Sequence, residues 1–154
     1  MAMIHERLYE SASLASIDLR DYFESLVTML SRTYSRDDAH VAVQLDVEPL
    51  AVDVDTAVPL ALVVNELVSN AFKYAFPAGS EGSIRIDLDR TEPGVIRLTI
   101  EDDGVGIPED VDVHEPSSLG LRLVHLLSRQ LRGEGSFESR SDPTRFSLEF
   151  PEER

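Results

Sequence analysis

Apolar residues recur every three or four positions in some stretches of this chain and every second position in others, and the change of period predicts its elements. A short helix is expected over 1–15. Leu19, Tyr22, Phe23, Leu26 and Leu30 then fall on one face of a helix over 16–34, capped by Ser16 or Asp18. Strict alternation of Val41, Val43, Leu45 and Val47 predicts a strand over 40–48. A second follows Pro49 over 50–54, the two forming a hairpin or two short strands. The helical period returns over 56–75, with Asp55 or Thr56 as cap, Pro59 in the first turn and Phe76, Pro77 and Gly79 ending the run. Strands over 83–89 and 95–100 make a hairpin around Glu92, Pro93 and Gly94. The segment 104–118, with glycines, prolines and several acidic residues, is expected to be a mobile loop. A third long helix over 119–132, stopped by Gly133 at its C′ position, and strands over 136–141 and 144–150 complete the chain. This order predicts a two-layer α/β (α+β) sandwich, with helices covering one face of a mixed sheet. Hairpin connections outnumber crossovers, so the sheet is not doubly wound.

Composition narrows what such a fold can serve. The 154 residues suffice for one domain, 42% of them are hydrophobic, and the lack of cysteine removes a disulfide framework or a thiolate zinc site. No apolar run approaches the length of a membrane span, and MAMIHERLYE has no signal architecture, so a cytoplasmic location is expected. Fourteen basic residues against 29 acidic ones give a net charge of −15. That field repels nucleic acid and anionic membrane, and neither is expected as a partner. A polyphosphate ligand would need a divalent cation, helix N-terminal amides and local cations such as Lys73 and Arg122.

Three segments carry candidate chemistry. In the helix over 56–75, Leu60, Val63, Val64, Leu67, Val68 and Ala71 point to a core, leaving Asn65, Glu66, Ser69, Asn70 and Lys73 on the other side. Glu66 and Asn70 are four residues apart, so their Cβ atoms stack about 5 to 6 Å apart on one face, with Lys73 following. Water and a metal ion fit there. Glu101-Asp102-Asp103-Gly104-Val105-Gly106-Ile107-Pro108 runs from a strand into a turn expected to need positive φ at its glycines. Ser118-Leu119-Gly120-Leu121 leads into the third helix, whose free N–H groups and dipole make an anion seat. No GxxxxGK loop is present. Arg122 and His125 are placed on the exposed side of that helix, and His40 and His114 in loops.

NELVSNAFKY, DDGVGIP and SLGL, in that order, resemble the nucleotide site of the GHKL ATPases, most nearly that of a sensor histidine kinase, over roughly 4–151. The resemblance implies a Bergerat-type mixed sheet, an ATP-binding catalytic domain over 16–154 and a remnant of the dimerisation helix and linker over 1–15. It implies that Asn70 ligates Mg²⁺ through its amide oxygen and that Glu66 acts through water near the γ-phosphate of ATP. Lys73 and Tyr74 would face the phosphates or the lid. Asp102 would accept a hydrogen bond from the exocyclic amine of adenine, while Gly104, Gly106 and Ile107 let backbone approach the base. Guanine would present a carbonyl there and leave the carboxylate unpaired. Leu119, Gly120 and Leu121 match the second glycine box, with Ser118 where the family has its first glycine. Thr144 resembles the threonine that supports the aspartate and base, and equally a β-favouring residue opening a strand.

The implied reaction transfers the γ-phosphoryl group to a histidine on a separate dimerisation domain, of the same or a partner subunit, and then to a response regulator. The full-length protein would be a homodimer. His5 lacks the proline and basic context of an acceptor, which is expected upstream. Two other readings stay open at this point. One is a free-standing GHKL serine kinase of the anti-sigma-factor type, whose site would look almost the same. The other is an interaction domain that keeps the fold without binding ATP. A mismatch-repair or topoisomerase module is disfavoured by size and charge.

Overall fold

Alternation of Ile84, Ile86 and Leu88, of Ile96, Leu98 and Ile100, and of Phe146, Leu148 and Phe150 makes one face of three strands apolar, and all these side chains are buried. Such a face must be covered. In this computed structural model, which describes residues 17–114 and 118–152, the cover is α1 (Leu19–Tyr34), α2 (Val54–Asn70) and α3 (Leu119–Gln130). The strands are β1 (Ile17–Asp18), β2 (His40–Val47), β3 (Ala51–Val52), β4 (Glu81–Glu92), β5 (Val95–Asp102), β6 (Glu134–Arg140) and β7 (Thr144–Pro151). The main sheet runs β2-β4-β5-β7-β6, with β2 parallel to β4 and the other pairs antiparallel. The architecture is the expected α/β sandwich.

The far face of the sheet is polar and carries cross-strand ion pairs, among them Arg97–Glu149 at 2.8 Å and Arg145–Glu101 at 2.8 Å. Exposed pairs of this kind add little stability. They do explain why helices cover only one side. The core lies between α2 and the apolar rows. Phe146, 1% exposed, meets Phe137 edge to face at 5.3 Å. Phe146→Ala is expected to cost about 3–5 kcal/mol, read as a lower urea midpoint at unchanged slope.

Several boundaries move for identifiable reasons. The expected helix over 1–15, His5 included, lies outside the described residues. α1 starts at Leu19 because the Asp18 carboxylate accepts the N–H groups of Arg20 and Asp21. Ile17 and Asp18 instead pair with β3. Of the two expectations over 40–54, separate strands form rather than a hairpin: β2 pairs in parallel with β4, leaving β3 to β1. Asp53, rather than Asp55 or Thr56, caps α2 by accepting Thr56 N–H at 3.0 Å. That starts the helix two residues early and puts Pro59 in its second turn. The α-helix ends at Asn70, and Ala71–Ala75 form one π turn. Ser69, expected on the polar side of α2, is buried, with its hydroxyl donating to the Glu66 carbonyl. His40 opens β2 rather than lying in a loop. At the end of α3 the residue with positive φ is Arg132 (60°), not Gly133. Gly133 is needed for space, since a Cβ there would lie 2.4 Å from the Glu149 carbonyl oxygen.

Candidate functional site

Register fixes the chemistry at the end of β5. Residues 96, 98, 100 and 102 share a face, so Asp102 ends an apolar row beneath the helices, paired across the sheet with Ile84 and Thr144. Burial pushes its carboxyl above the ordinary value of 3.8; Gly104 N–H, donating at 2.9 Å, opposes this, and the Asp103 charge adds to it. Among the described residues that N–H is the only hydrogen-bond partner of the Asp102 carboxylate, so its other oxygen has no protein donor. Asp103, one residue on, is exposed and accepts from Ser83 N–H at 2.7 Å. Its task is to fasten β4 to the turn. Thr144 is buried, and its hydroxyl proton goes to the Arg140 carbonyl at 3.0 Å.

The turn after Asp102 is held close to its surroundings. A Cβ on Gly104 would lie 2.3 Å from the Ala75 carbonyl oxygen, which Val105 N–H also engages at 2.9 Å. Close approach, not positive φ, therefore demands glycine at 104. Gly106 does have positive φ (89°), and Ile107 N–H reaches the Arg140 carbonyl at 2.8 Å. These contacts tie the turn to the π turn on one side and to the β6–β7 hairpin on the other.

Glu66 and Asn70, both half-buried, lie on the stripe of α2 that meets the first turn of α3. A Cβ on Gly120 would lie 2.8 Å from Glu66 Oε2 and 3.8 Å from Asn70 Nδ2. Two elements far apart in sequence thus bring a carboxylate, a carboxamide and the free amides of a helix N-terminus together. No described residue hydrogen-bonds either the Glu66 carboxylate or the Asn70 amide. Ser118 is the cap of α3, its hydroxyl accepting Leu121 N–H at 3.4 Å. Leu121 is half-buried against the core, while Leu119 is 81% exposed. On the π turn, Tyr74 is 74% exposed, and the Lys73 ammonium lies over the Tyr34 ring of α1, 5.4 Å from its centroid. Lys73 thus engages α1, whereas α-helical spacing had stacked it behind Asn70.

No sequence rule singles out Arg140, and His125 is more enclosed than its helical position implies. Arg140 Nη2 donates to the carbonyls of Pro108 (2.5 Å) and Val111 (2.8 Å). His125, expected on an exposed face, is half-buried with Nε2 2.8 Å from the Val113 carbonyl, and Val113 is itself buried. The described part of the expected mobile loop is thus anchored at Pro108, Val111 and Val113, while Val105, Glu109 and Asp110 are exposed. Among the described residues, no group of three His, Cys, Asp or Glu is placed to hold a metal ion unaided. Nor is any helix long and apolar enough to cross a membrane.

Comparison with known proteins gives the same reading from another direction. Residues 55–154 match the family described as histidine kinase-, DNA gyrase B-, and HSP90-like ATPase, and residues 1–34 match a histidine kinase family. Blue-light-activated histidine kinase 2 of Erythrobacter litoralis (strain HTCC2594) is 33% identical over 118 residues, 77% of this chain and 34% of that protein. Sensor histidine kinase PdtaS of Mycobacterium tuberculosis is 29% identical over 154 residues, 98% of this chain and 30% of that protein. The chain spans about a third of the length of these relatives. The solved histidine kinase domain of the Erythrobacter litoralis EL346 blue-light-activated kinase superposes with a TM-score of 0.78 at 30% identity, covering 88% of this chain and 65% of that one. The chain belongs to the histidine kinase-, DNA gyrase B- and HSP90-like ATPase family, and over most of its length it is similar to histidine kinases.

Proposed function

We propose that the chain binds Mg²⁺-ATP between α2 and α3 and presents its γ-phosphoryl group to a histidine on a separate dimerisation domain, for relay to a response regulator. The observation that carries this reading is Asp102, a half-buried carboxylate ending an apolar row with one oxygen unpartnered beside a glycine turn. Adenine suits that position, because its exocyclic amine supplies the donor the carboxylate lacks. Phosphates extending from there reach the first turn of α3, where amides and dipole favour anions.

ATP supplies the transferable phosphoryl group, and the protein's work is largely positioning and charge neutralisation. Asn70 offers one neutral oxygen to an octahedral cation whose other ligands are phosphates and water. Glu66, beside Asn70, is placed to hold the proton leaving the acceptor imidazole or to orient a water that does so. Residues 1–15 are read as a remnant of the dimerisation helix and linker, and 16–154 as the catalytic domain. The intact protein is read as a cytoplasmic homodimer.

Asn70→Ala tests the metal's place. It is expected to lower ADP affinity about tenfold with Mg²⁺ present and hardly at all in EDTA; an equal loss in both would make Asn70 structural. The transfer itself is tested by adding labelled ATP and a separately purified dimerisation domain from a full-length relative. Label on histidine, acid-labile and alkali-stable, is expected. Label on serine or threonine would favour the anti-sigma-factor type of chemistry instead.

A further inference from the structure

We propose that Arg140 is a positioning residue for the adenine end of the site, holding residues 107–111 in their binding geometry before nucleotide arrives. The inference rests on the reading of Asp102 as the adenine acceptor. Pro108 and Val111 bracket a tight turn closed by Val111 N–H donating to the Pro108 carbonyl at 3.0 Å. Arg140 Nη2 donates to the carbonyls at both ends of that turn, at 2.5 and 2.8 Å. Its own carbonyl accepts from Ile107 N–H at 2.8 Å and from the Thr144 hydroxyl at 3.0 Å. One residue therefore joins the loop that follows Asp102 to the strand residue paired with Asp102.

The base from which Arg140 works is itself fixed. Ser139 Oγ braces the following turn through the carbonyls of Ser141 (2.9 Å) and Pro143 (2.6 Å). Gly106 lies directly against this hairpin, since a Cβ there would be 2.7 Å from Ser141 Cβ and 2.9 Å from the Arg140 carbonyl oxygen. A planar guanidinium suits the task, because its fork of donors can serve two acceptors at once, whereas an ammonium on a flexible stem is less well matched to both. When a loop is ordered only part of the time, apparent affinity falls by the fraction of molecules that are competent. The effect belongs to the base, not the phosphates. It should therefore be the same with and without Mg²⁺, which separates Arg140 from Asn70.

The test is calorimetric titration of the whole chain with ADP, in Mg²⁺ and in EDTA, for the native protein, Arg140→Ala, Arg140→Lys and Asp102→Ala, with hydrogen exchange on each unliganded protein. Arg140→Ala is expected to weaken ADP about tenfold in both buffers and to speed exchange of amides 107–113 while β6 and β7 stay protected. Arg140→Lys, the gentler change, is expected to fall between the two. Native affinity in both Arg140 variants, with Asp102→Ala still losing ADP, would overturn the inference and leave the adenine reading standing. Faster exchange throughout β6 and β7 would also overturn it, by making Arg140 a general support of the hairpin. Native affinity in Asp102→Ala would remove the adenine reading and the inference together.

Discussion

Replacing Asp102 by alanine is expected to weaken ADP binding about a hundredfold or more while the protein stays folded. The carboxylate's one described contact is the Gly104 N–H, so little structure depends on it. An adenine amine left facing alanine loses a charge-assisted hydrogen bond in a place where water replaces it poorly. Asp102→Asn sharpens the test, because it keeps the shape but turns an acceptor-only group into one with a donor of its own. Both variants should unfold cooperatively, and calorimetric titration reads the affinity. ADP binding at native strength in either would remove Asp102 from the site.

The same residue gives a pH dependence with opposite signs for stability and binding. Burial raises its carboxyl above 3.8, so the folded protein holds this proton to higher pH than the unfolded chain does. Folding therefore bears no penalty from Asp102 below the unfolded value. The penalty grows as pH rises and is complete above the raised folded value. The ionised carboxylate is the stronger acceptor for adenine's amine, so ADP affinity should rise as pH climbs through that folded value. Titrations of ADP binding and thermal midpoints across that folded value should thus show Asp102→Asn losing this residue's contribution to the pH dependence of both.

Glu66→Gln is expected to lower histidine phosphorylation about 10²- to 10⁴-fold, the range for a positioned general base, with ADP affinity changed less than threefold. The substitution keeps the volume beside Gly120 and removes only the proton acceptor. Single-turnover transfer to a dimerisation domain supplied in trans reads the chemical step, and titration reads binding. A loss of binding equal to the loss of transfer would mean that Glu66 holds the nucleotide. Unchanged transfer would take it out of the reaction.

How much of this was legible in the residues depended on whether a local rule decided the matter. The period of two along Ile96, Leu98 and Ile100 places position 102 inward, which separates Asp102 from its neighbours Glu101 and Asp103 without any knowledge of the partner strands. Helical spacing likewise put Glu66 and Asn70 on one stripe. Where several residues could do one job, the choice escaped: Asp53, Asp55 and Thr56 are all competent caps, and Asp53 takes the role because β3 ends there. The pairing of β2 with β4 rather than β3 is a long-range event. Nothing within 40–54 reports it, since alternation fixes which face is buried but not which edge is paired.

The π turn is a subtler case. The residues 71–75 read as a continued α-helix, yet Ala75 must present its carbonyl to Val105 N–H, and Phe72 stacks on Tyr34 at 6.0 Å. Tertiary demands of this kind widen the turn and carry Lys73 toward α1. Arg140 was invisible for a related reason. An arginine near the end of an edge strand is ordinary, and only the fold shows that it spans the two ends of a turn about 30 residues upstream. At the end of α3, glycine at 133 invited the C′ rule. The chain instead spends the left-handed conformation on Arg132 and keeps Gly133 for its closeness to β7.

The most direct measurement is a paired calorimetric titration of the purified chain with Mg²⁺-ADP and Mg²⁺-GDP. The account predicts saturable one-to-one binding of ADP and binding of GDP about a hundredfold weaker or worse. Equal affinity for the two purines, or no heat with either, would contradict it.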